Sequence, residues 1–149
     1  IEAADGLLVV SPEYNGFITP LLLNAVTWCS RGDDPSGPMY ATFKGKVAAV
    51  LSASPGALGG MRSHGPVRSV FQNLGVTVLP ESVAVGGAFS AFGDDGSLVD
   101  EKQRVMAESA VVSLVKRARM SANYDATCTV VKALRETPLA GEYGSVSTL

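Results

Sequence analysis

The 149-residue sequence is poor in cysteine, in charge and in long apolar runs, and each shortage excludes a class of protein. Its two cysteines, Cys29 and Cys128, stand far apart and outside any C-x-x-C or metal-ligand spacing, which excludes a disulfide framework and a cysteine-rich metal site. Such sparse cysteine usage favours a reducing, intracellular compartment, so we expect a cytoplasmic protein. Cys29 falls in a predicted helix and is expected to be buried as a small hydrophobic residue.

The charge balance argues against a nucleic acid as partner, and the apolar runs are too short for a membrane span. Twelve basic and 14 acidic residues give a net charge of −2, with no basic stripe. The run at 21–26 is interrupted by Asn24 and stays far below the ~20 residues that a membrane helix needs. With 46% hydrophobic residues, the chain can instead bury the core of one globular domain. It begins with Ile1 and shows no secretory signal, and we expect that upstream residues are missing.

Strands and helices are predicted to alternate along the chain. Short, continuous apolar runs at 7–10, 47–51 and 76–79 are typical of strands covered on both faces, and 83–85 extends the last one beyond Pro80. A helical pattern follows each strand. This alternation predicts an α/β fold, with a doubly wound parallel sheet between two layers of helices.

Each predicted helix has boundary signals and an apolar face. Thr19 can cap the first helix, Gly75 can end the second, and Asp100 with Gln103 three residues later resembles a capping box for the third, which we expect to end near Arg119. The expected buried rows are Leu21, Leu22, Ala25, Trp28 and Cys29 in the first helix, Val67, Val70, Phe71 and Leu74 in the second, and Val111, Leu114, Val115 and Ala118 in the third.

Two loops rich in small and polar residues follow the first two strands. Residues 11–16 are Ser-Pro-Glu-Tyr-Asn-Gly, and residues 52–60 carry three glycines. Ligands of open α/β sheets lie beyond the carboxyl ends of the strands, so both loops are expected at one binding edge. Proline fixes φ, while Asn and Gly accept positive φ, so the loops can turn backbone N–H groups toward a planar, polar-edged ligand. The glycine run lacks the features of nucleoside-triphosphate and dinucleotide loops.

Together with the segments at 4–28, 45–62, 74–75, 79–80 and 91–101, these two loops resemble the NADPH-dependent FMN reductase family, which includes chromate, quinone and azo-dye reductases. The resemblance implies a flavodoxin-like fold with an N-terminal part missing. Residues 1–120 are then the C-terminal part of an FMN-binding domain, and 121–149 are a tail atypical of the family. It also implies that the FMN ring lies between the two loops. The implied cofactor-binding residues are Pro12, Glu13, Tyr14, Asn15, Gly16, Ser54, Gly56, Gly59, Gly60 and Arg62.

The reaction implied by the resemblance is a ping-pong transfer. A hydride passes from NADPH or NADH to FMN, and the electrons then pass to a quinone, azo dye, metal oxyanion or free flavin at the same ring face. No catalytic side chain is predicted, because the cofactor carries this chemistry. Arg62 and Arg68 are candidate contacts for a nucleotide phosphate, although a solvated helix face is favoured for Arg68. A homodimer or homotetramer is implied as well. The alternative is a truncated, non-enzymatic flavodoxin-like module that acts in subunit interaction.

The family's phosphate loop, of the type Gly-Ser-x-Arg-x-x-Ser, does not occur in this sequence. By comparison with the family, the strand at 7–10 would be central, so here it is expected to be an exposed apolar edge. Upstream residues, a second chain or the segment 127–134 could cover it.

Three polar residues near the loops have open interpretations. His64 is expected at the surface or at a helix cap, while a hydrolase pair with Ser11 or Ser54 is the weaker alternative. Glu13 is expected to anchor its loop or a neighbouring subunit by hydrogen bonds. Tyr14 is expected to contact the flavin ring edge, or else to pack across a subunit interface.

Overall fold

The computed structural model of the chain describes residues 1–31, 36–37 and 39–127. In chain order its elements are β1 (Gly6–Val10), β2 (Glu13–Tyr14), β3 (Phe17–Ile18), α1 (Pro20–Cys29), β4 (Val47–Ala53), a 3₁₀ helix (Met61–Ser63), α2 (His64–Asn73), β5 (Thr77–Val85) and α3 (Glu101–Thr127).

The main sheet is parallel, with the strand order β1-β4-β5. Its middle strand, β4, pairs from Val47 to Leu51 with β1 and along its whole length with β5. The register between β4 and β5 shifts in the segment that contains Pro80, as expected for a residue without an N–H to donate. The predicted α/β fold and the predicted extension of the third strand are confirmed.

Apolar side chains alternate between the two faces of β4 and so build a core on each side of the sheet. Ala48 and Val50 contribute to the core under α1 and α2, where the rings of Phe43 and Phe71 meet edge to face at 5.9 Å. Val47 and Ala49 pack with Leu79 against Leu114 and Ala118 of α3. Helices therefore cover both faces of the sheet, as predicted.

The predicted helix boundaries hold at three positions. Thr19 caps α1, because its Oγ1 accepts the backbone N–H of Leu22 at 3.3 Å. Asp100 caps α3 through the N–H of Gln103 at 2.8 Å. Gly75 follows α2 with φ of +78°, the left-handed conformation that ends many helices.

The predicted buried row of α1 is wrong except at Leu22, which is partly buried and packs against the core. Val26 is the buried residue of this helix, whereas Leu21 and Trp28 are 79% and 74% exposed and Cys29 is exposed too. The physical reason is that an apolar stripe identifies the face of a helix that can be buried, but not what covers it. In the described residues, a neighbouring face of α1 is covered instead.

The predicted end of the third helix, near Arg119, is also wrong, because α3 continues to Thr127. No glycine or proline interrupts 120–127, so nothing in the backbone stops the helix there. Its buried row is Ala110, Leu114 and Ala118, while the predicted Val111 and Val115 are partly exposed. Cys128 and the segment 128–134 lie outside the described residues.

The apolar edge expected at β1 is present, since Leu8 is 45% and Val10 is 66% exposed. No helix of the described residues is long and apolar enough to cross a bilayer.

The core under α2 gives a direct test of the fold. Replacing Val67, which is fully buried, by alanine should lower the free energy of unfolding by about 2 kcal/mol, since it leaves a cavity. Val70→Ala is the matched control on the same helix, because Val70 is only partly buried and the change in helix propensity is identical. Urea unfolding followed by circular dichroism measures both variants. Equal losses in the two would contradict this core.

Candidate functional site

The loop predicted at 11–16 is a small hairpin made by β2 and β3. Its turn residues Asn15 and Gly16 have φ of 53° and 77°, as a two-residue turn with two positive φ angles requires. Sequence reasoning missed these two strands, although Asn-Gly is the strongest local signal for such a hairpin. The hairpin presents Tyr14, which is 58% exposed, on its surface.

The loop at 52–60 is tied into the structure by its own backbone. Ser54 donates its N–H to Val85 at 2.9 Å, Gly56 to the hydroxyl of Ser54 at 3.3 Å, and Gly59 to the carbonyl of Gly56 at 3.1 Å. These three N–H groups are therefore already used within the protein.

Two of the three glycines in this loop are required by packing. An ideal Cβ at Gly59 would lie 2.6 Å from the backbone of Ala84, and one at Gly60 would lie 2.9 Å from Oγ of Ser52. Both glycines have positive φ, of 61° and 88°. The sequence interpretation assigned these glycines to close approach of a ligand, whereas the structure shows close approach of their own strands β5 and β4.

A carboxylate joins the hairpin to the second loop. Oε1 of Glu13 accepts from Nε and Nη2 of Arg62 at 2.8 and 2.6 Å, and Oε2 accepts the backbone N–H of Arg62 at 2.9 Å. The side chain of Glu13 is 7% exposed. The hydrogen bond from the Arg62 side chain is the largest cause of a lowered pKa at Glu13, so this carboxylate stays ionised. The expected anchoring role of Glu13 is thus confirmed.

This contact also changes the interpretation of Arg62. Its Nε and one terminal nitrogen are engaged by Glu13, yet 63% of its side chain is exposed at the junction of the two loops. Arg62 is therefore primarily a structural partner, with part of its guanidinium open to solvent.

His64 and Arg68 are not where the sequence placed them. His64 is buried, and its Nε2 lies 2.8 Å from the hydroxyl of Ser52, not from Ser11 or Ser54. Arg68 donates to the backbone carbonyls of Leu79 and Pro80 at 2.5 and 3.1 Å. It neither points to a phosphate site nor lies free on a solvated face, because the irregular segment of β5 offers it these carbonyls.

The structure thus brings the two predicted loops together at the carboxyl edge of the sheet. Glu13, Gly16, Gly60 and Arg62 are mutual neighbours: Nε of Arg62 is 3.9 Å from an ideal Cβ at Gly16, and Cβ of Glu13 is 3.6 Å from one at Gly60. The other predicted residues lie on the same two loops. They are Pro12, Tyr14, Asn15, Ser54 and Gly56. Among the described residues, no cluster of three metal-binding side chains occurs.

The sequence matches the family described as NADPH-dependent FMN reductase over residues 1–90, a range that holds both loops. The chain belongs to this family. An NAD(P)H-dependent FMN reductase of Pseudomonas aeruginosa is 38% identical over 124 residues, covering 80% of this chain and 63% of the relative. A quinone reductase of Pseudomonas putida is 40% identical over 103 residues, covering 68% of this chain and 52% of the relative.

A solved structure shares the fold of this FMN reductase family member. FerB, a flavoenzyme NAD(P)H:(acceptor) oxidoreductase from Paracoccus denitrificans, superposes with a TM-score of 0.66 at 27% identity, over 80% of this chain and 64% of FerB. The flavodoxin-like fold implied by the sequence is thereby confirmed. The chain spans between about half and two thirds of the length of these relatives.

Gly59 gives the sharpest test of the loop. Gly59→Ala should lower the free energy of unfolding by about 2 kcal/mol or more, because the residue has positive φ and its Cβ would overlap the backbone of β5. Gly56→Ala is the control, since its Cβ meets nothing closer than 3.8 Å and its φ is ordinary, and it should change stability by less than about 1 kcal/mol. Thermal and urea unfolding compare them. The assigned packing is refuted if the Gly59 variant is as stable as the Gly56 variant.

Proposed function

We propose that the chain carries the ring-binding part of an NAD(P)H-dependent FMN oxidoreductase. The observation that carries the proposal is the Glu13–Arg62 contact, which holds the hairpin and the glycine loop side by side at the ligand edge of the sheet. When bound there, FMN would supply the redox chemistry, by taking a hydride from NADPH or NADH and giving electrons to an acceptor.

The residues present fit a flavin ring. Pro12, Tyr14, Asn15 and Gly16 would line one side of it, with the exposed phenol of Tyr14 available for an aromatic contact. On the other side, Ser54, Gly56, Gly59 and Gly60 would shape the edge near the pyrimidine. Within the described part of the chain, the N–H groups of Ala57, Leu58 and Gly60 have no acceptor. These three groups are candidate donors to the ring's polar edge.

The charges at the loop junction suit a ring that becomes negative on reduction. Glu13 is already neutralised by Arg62, so it does not repel the added charge. The 149 residues contain no Gly-Ser-x-Arg-x-x-Ser motif, so the contacts proposed here concern the ring and not the phosphate.

Quinones are the acceptor class that we place first, ahead of azo dyes, metal oxyanions and free flavin. This choice is supported by the names of the relatives, which include quinone reductases and a 2-hydroxy-1,4-benzoquinone reductase. An open ring face accepts planar quinones without further catalytic groups, which agrees with the absence of a predicted nucleophile or general base.

A homodimer or homotetramer in the cytoplasm completes the proposal. Its support is an apolar patch on the hairpin and α1, which consists of side chains more than half exposed: Phe17, Leu21 and Trp28. Large exposed apolar side chains of this kind are typical of a subunit contact. The exposed thiol of Cys29 suits a reducing compartment.

Flavin titration tests the ring contacts. The fluorescence of both FMN and riboflavin should be quenched when they bind to the chain. Tyr14→Ala should raise their dissociation constants roughly three- to tenfold, because one aromatic contact is lost. Phe17→Ala is the matched control, since Phe17 pairs with Tyr14 across the hairpin and is similarly exposed. It should shift the constants by less than about twofold. Flavin-loaded protein should then oxidise NADPH with a quinone as acceptor.

The proposed function would be refuted for this chain if the pure protein showed no absorbance of bound flavin, either as purified or after FMN is added. Equal weakening by the Tyr14 and Phe17 variants would instead refute the specific contact of Tyr14.

Sedimentation velocity tests the assembly. Trp28→Ser should shift the protein toward the monomer, because it removes the largest exposed side chain of the patch from the subunit contact. Val112→Ser on α3, which lies on the opposite side of the sheet and is also exposed, should leave the distribution unchanged. A wild-type chain that stays monomeric at high concentration would contradict the proposed contact.

A further inference from the structure

The buried pair formed by Ser52 and His64 lies directly behind the glycine loop and has no role in the proposed flavin contacts. Oγ of Ser52, at the end of β4, is 2.7 Å from the carbonyl oxygen of Gly59 and 2.8 Å from Nε2 of His64. Both side chains are buried, at 3% and 7% exposure. The pair therefore connects α2 to the loop through one serine hydroxyl.

The hydrogens in this chain of contacts can be placed by counting. A carbonyl oxygen only accepts, so the single hydrogen of the Ser52 hydroxyl goes to Gly59. Ser52 must then accept from His64, so Nε2 carries the hydrogen of the neutral ring and Nδ1 carries none. The order of donation is His64 to Ser52 to Gly59.

Protonation would place a cation in an unfavourable position. Burial and the guanidinium of Arg68 on α2 hold the pKa of His64 below its usual value, while Glu13 on the hairpin acts in the opposite sense. That carboxylate is already shared with Arg62 from the 3₁₀ helix. His64 is also the first residue of α2, where the helix dipole disfavours a positive charge.

We propose that His64 is a positioning residue, which in its neutral form fixes the Gly59–Gly60 turn for flavin binding through Ser52 and releases it on taking up a proton. The added proton goes to Nδ1, and the imidazolium gains free energy by moving toward water, which takes Nε2 away from Ser52. The role in flavin binding rests on the proposed function, whereas the link between His64 and the turn does not.

The sign of the pH effect follows from the lowered pKa. The folded chain binds fewer protons at His64 than the unfolded chain does, so its stability falls as the pH drops below about 6.5 and is unaffected at higher pH. Flavin affinity should weaken at lower pH, as the folded chain takes up the proton at the lowered pKa of His64, because the turn is then released.

NMR on the wild-type chain tests the link without flavin. His64 is the one histidine of the chain, so its ring signal is unambiguous as the pH falls from about 8 to about 5. The amide signals of Gly59 and Gly60 should shift with the same midpoint as the imidazole, and this shift should vanish in Ser52→Ala. The proposal would be overturned if the amide signals of Gly59 and Gly60 did not shift as the histidine titrates.

Variants test the consequence for flavin binding. His64→Gln keeps an N–H donor that does not titrate, so its flavin dissociation constant should match the wild type at about pH 8 and stay flat down to about pH 5, where the wild type weakens roughly two- to tenfold. His64→Phe removes the donor, so this variant should bind flavin more weakly than His64→Gln does at both pH values. The proposal would be refuted if the flavin dissociation constant of His64→Gln changed with pH as much as that of the wild type.

Ser63→Ala is the matched control, because the Ser63 hydroxyl donates to the carbonyl of Gly60 at 2.8 Å and does not titrate. It should lower stability, but its flavin dissociation constant should change with pH as in the wild type. A flavin dissociation constant that no longer changes with pH in this variant would count against the role of His64. If no flavin binds at any pH, the proposed function fails, and the NMR titration still decides the role of His64.

Discussion

Parallel pairing of β4 between β1 and β5 is the constraint on which the rest of the molecule depends. Because both neighbours run in the same direction as β4, the segments that leave their carboxyl ends emerge at one edge of the sheet. The hairpin and the glycine loop meet there without any long connection. The same pairing buries β4 on both faces, so α2 and α3 each have an apolar surface to pack against.

Local chemistry then determines how the two loops are held. The hairpin is attached mainly through charge, since the carboxylate of Glu13 accepts three hydrogen bonds from Arg62. The glycine loop is attached through its own backbone and through the hydroxyl of Ser52, which lies among buried groups. A flavin ring between them would therefore contact one loop that is held by an ion pair and another that is held by buried hydrogen bonds.

Much of the fold could be predicted from sequence, because it depends on local pattern. The three strands of the main sheet, the cap at Thr19 and the buried row of α2 follow from apolar periodicity and capping chemistry. The missed hairpin and the early end predicted for α3 are misread local signals, whereas the other errors concern long-range contacts. The apolar face of α1 is visible in the sequence, but whether anything covers it is not. Likewise, only the fold places Ser52 beside His64, twelve residues away, and the carbonyls of Leu79 and Pro80 beside Arg68.

The close approach of Gly59 to β5 has a mechanical consequence for the edge of the sheet. An ideal Cβ at Gly59 would lie 2.6 to 2.7 Å from backbone atoms of Ala84 and Val85, so the glycine loop lies directly against β5 and has no room to move toward that strand. The hairpin is joined to the 3₁₀ helix through an ion pair whose arginine is largely exposed, while Ile18 of β3 is buried in the core. The attachment through the ion pair should weaken as the ionic strength rises, because salt screens the attraction between Glu13 and Arg62, whereas the packing of Gly59 against β5 should not change.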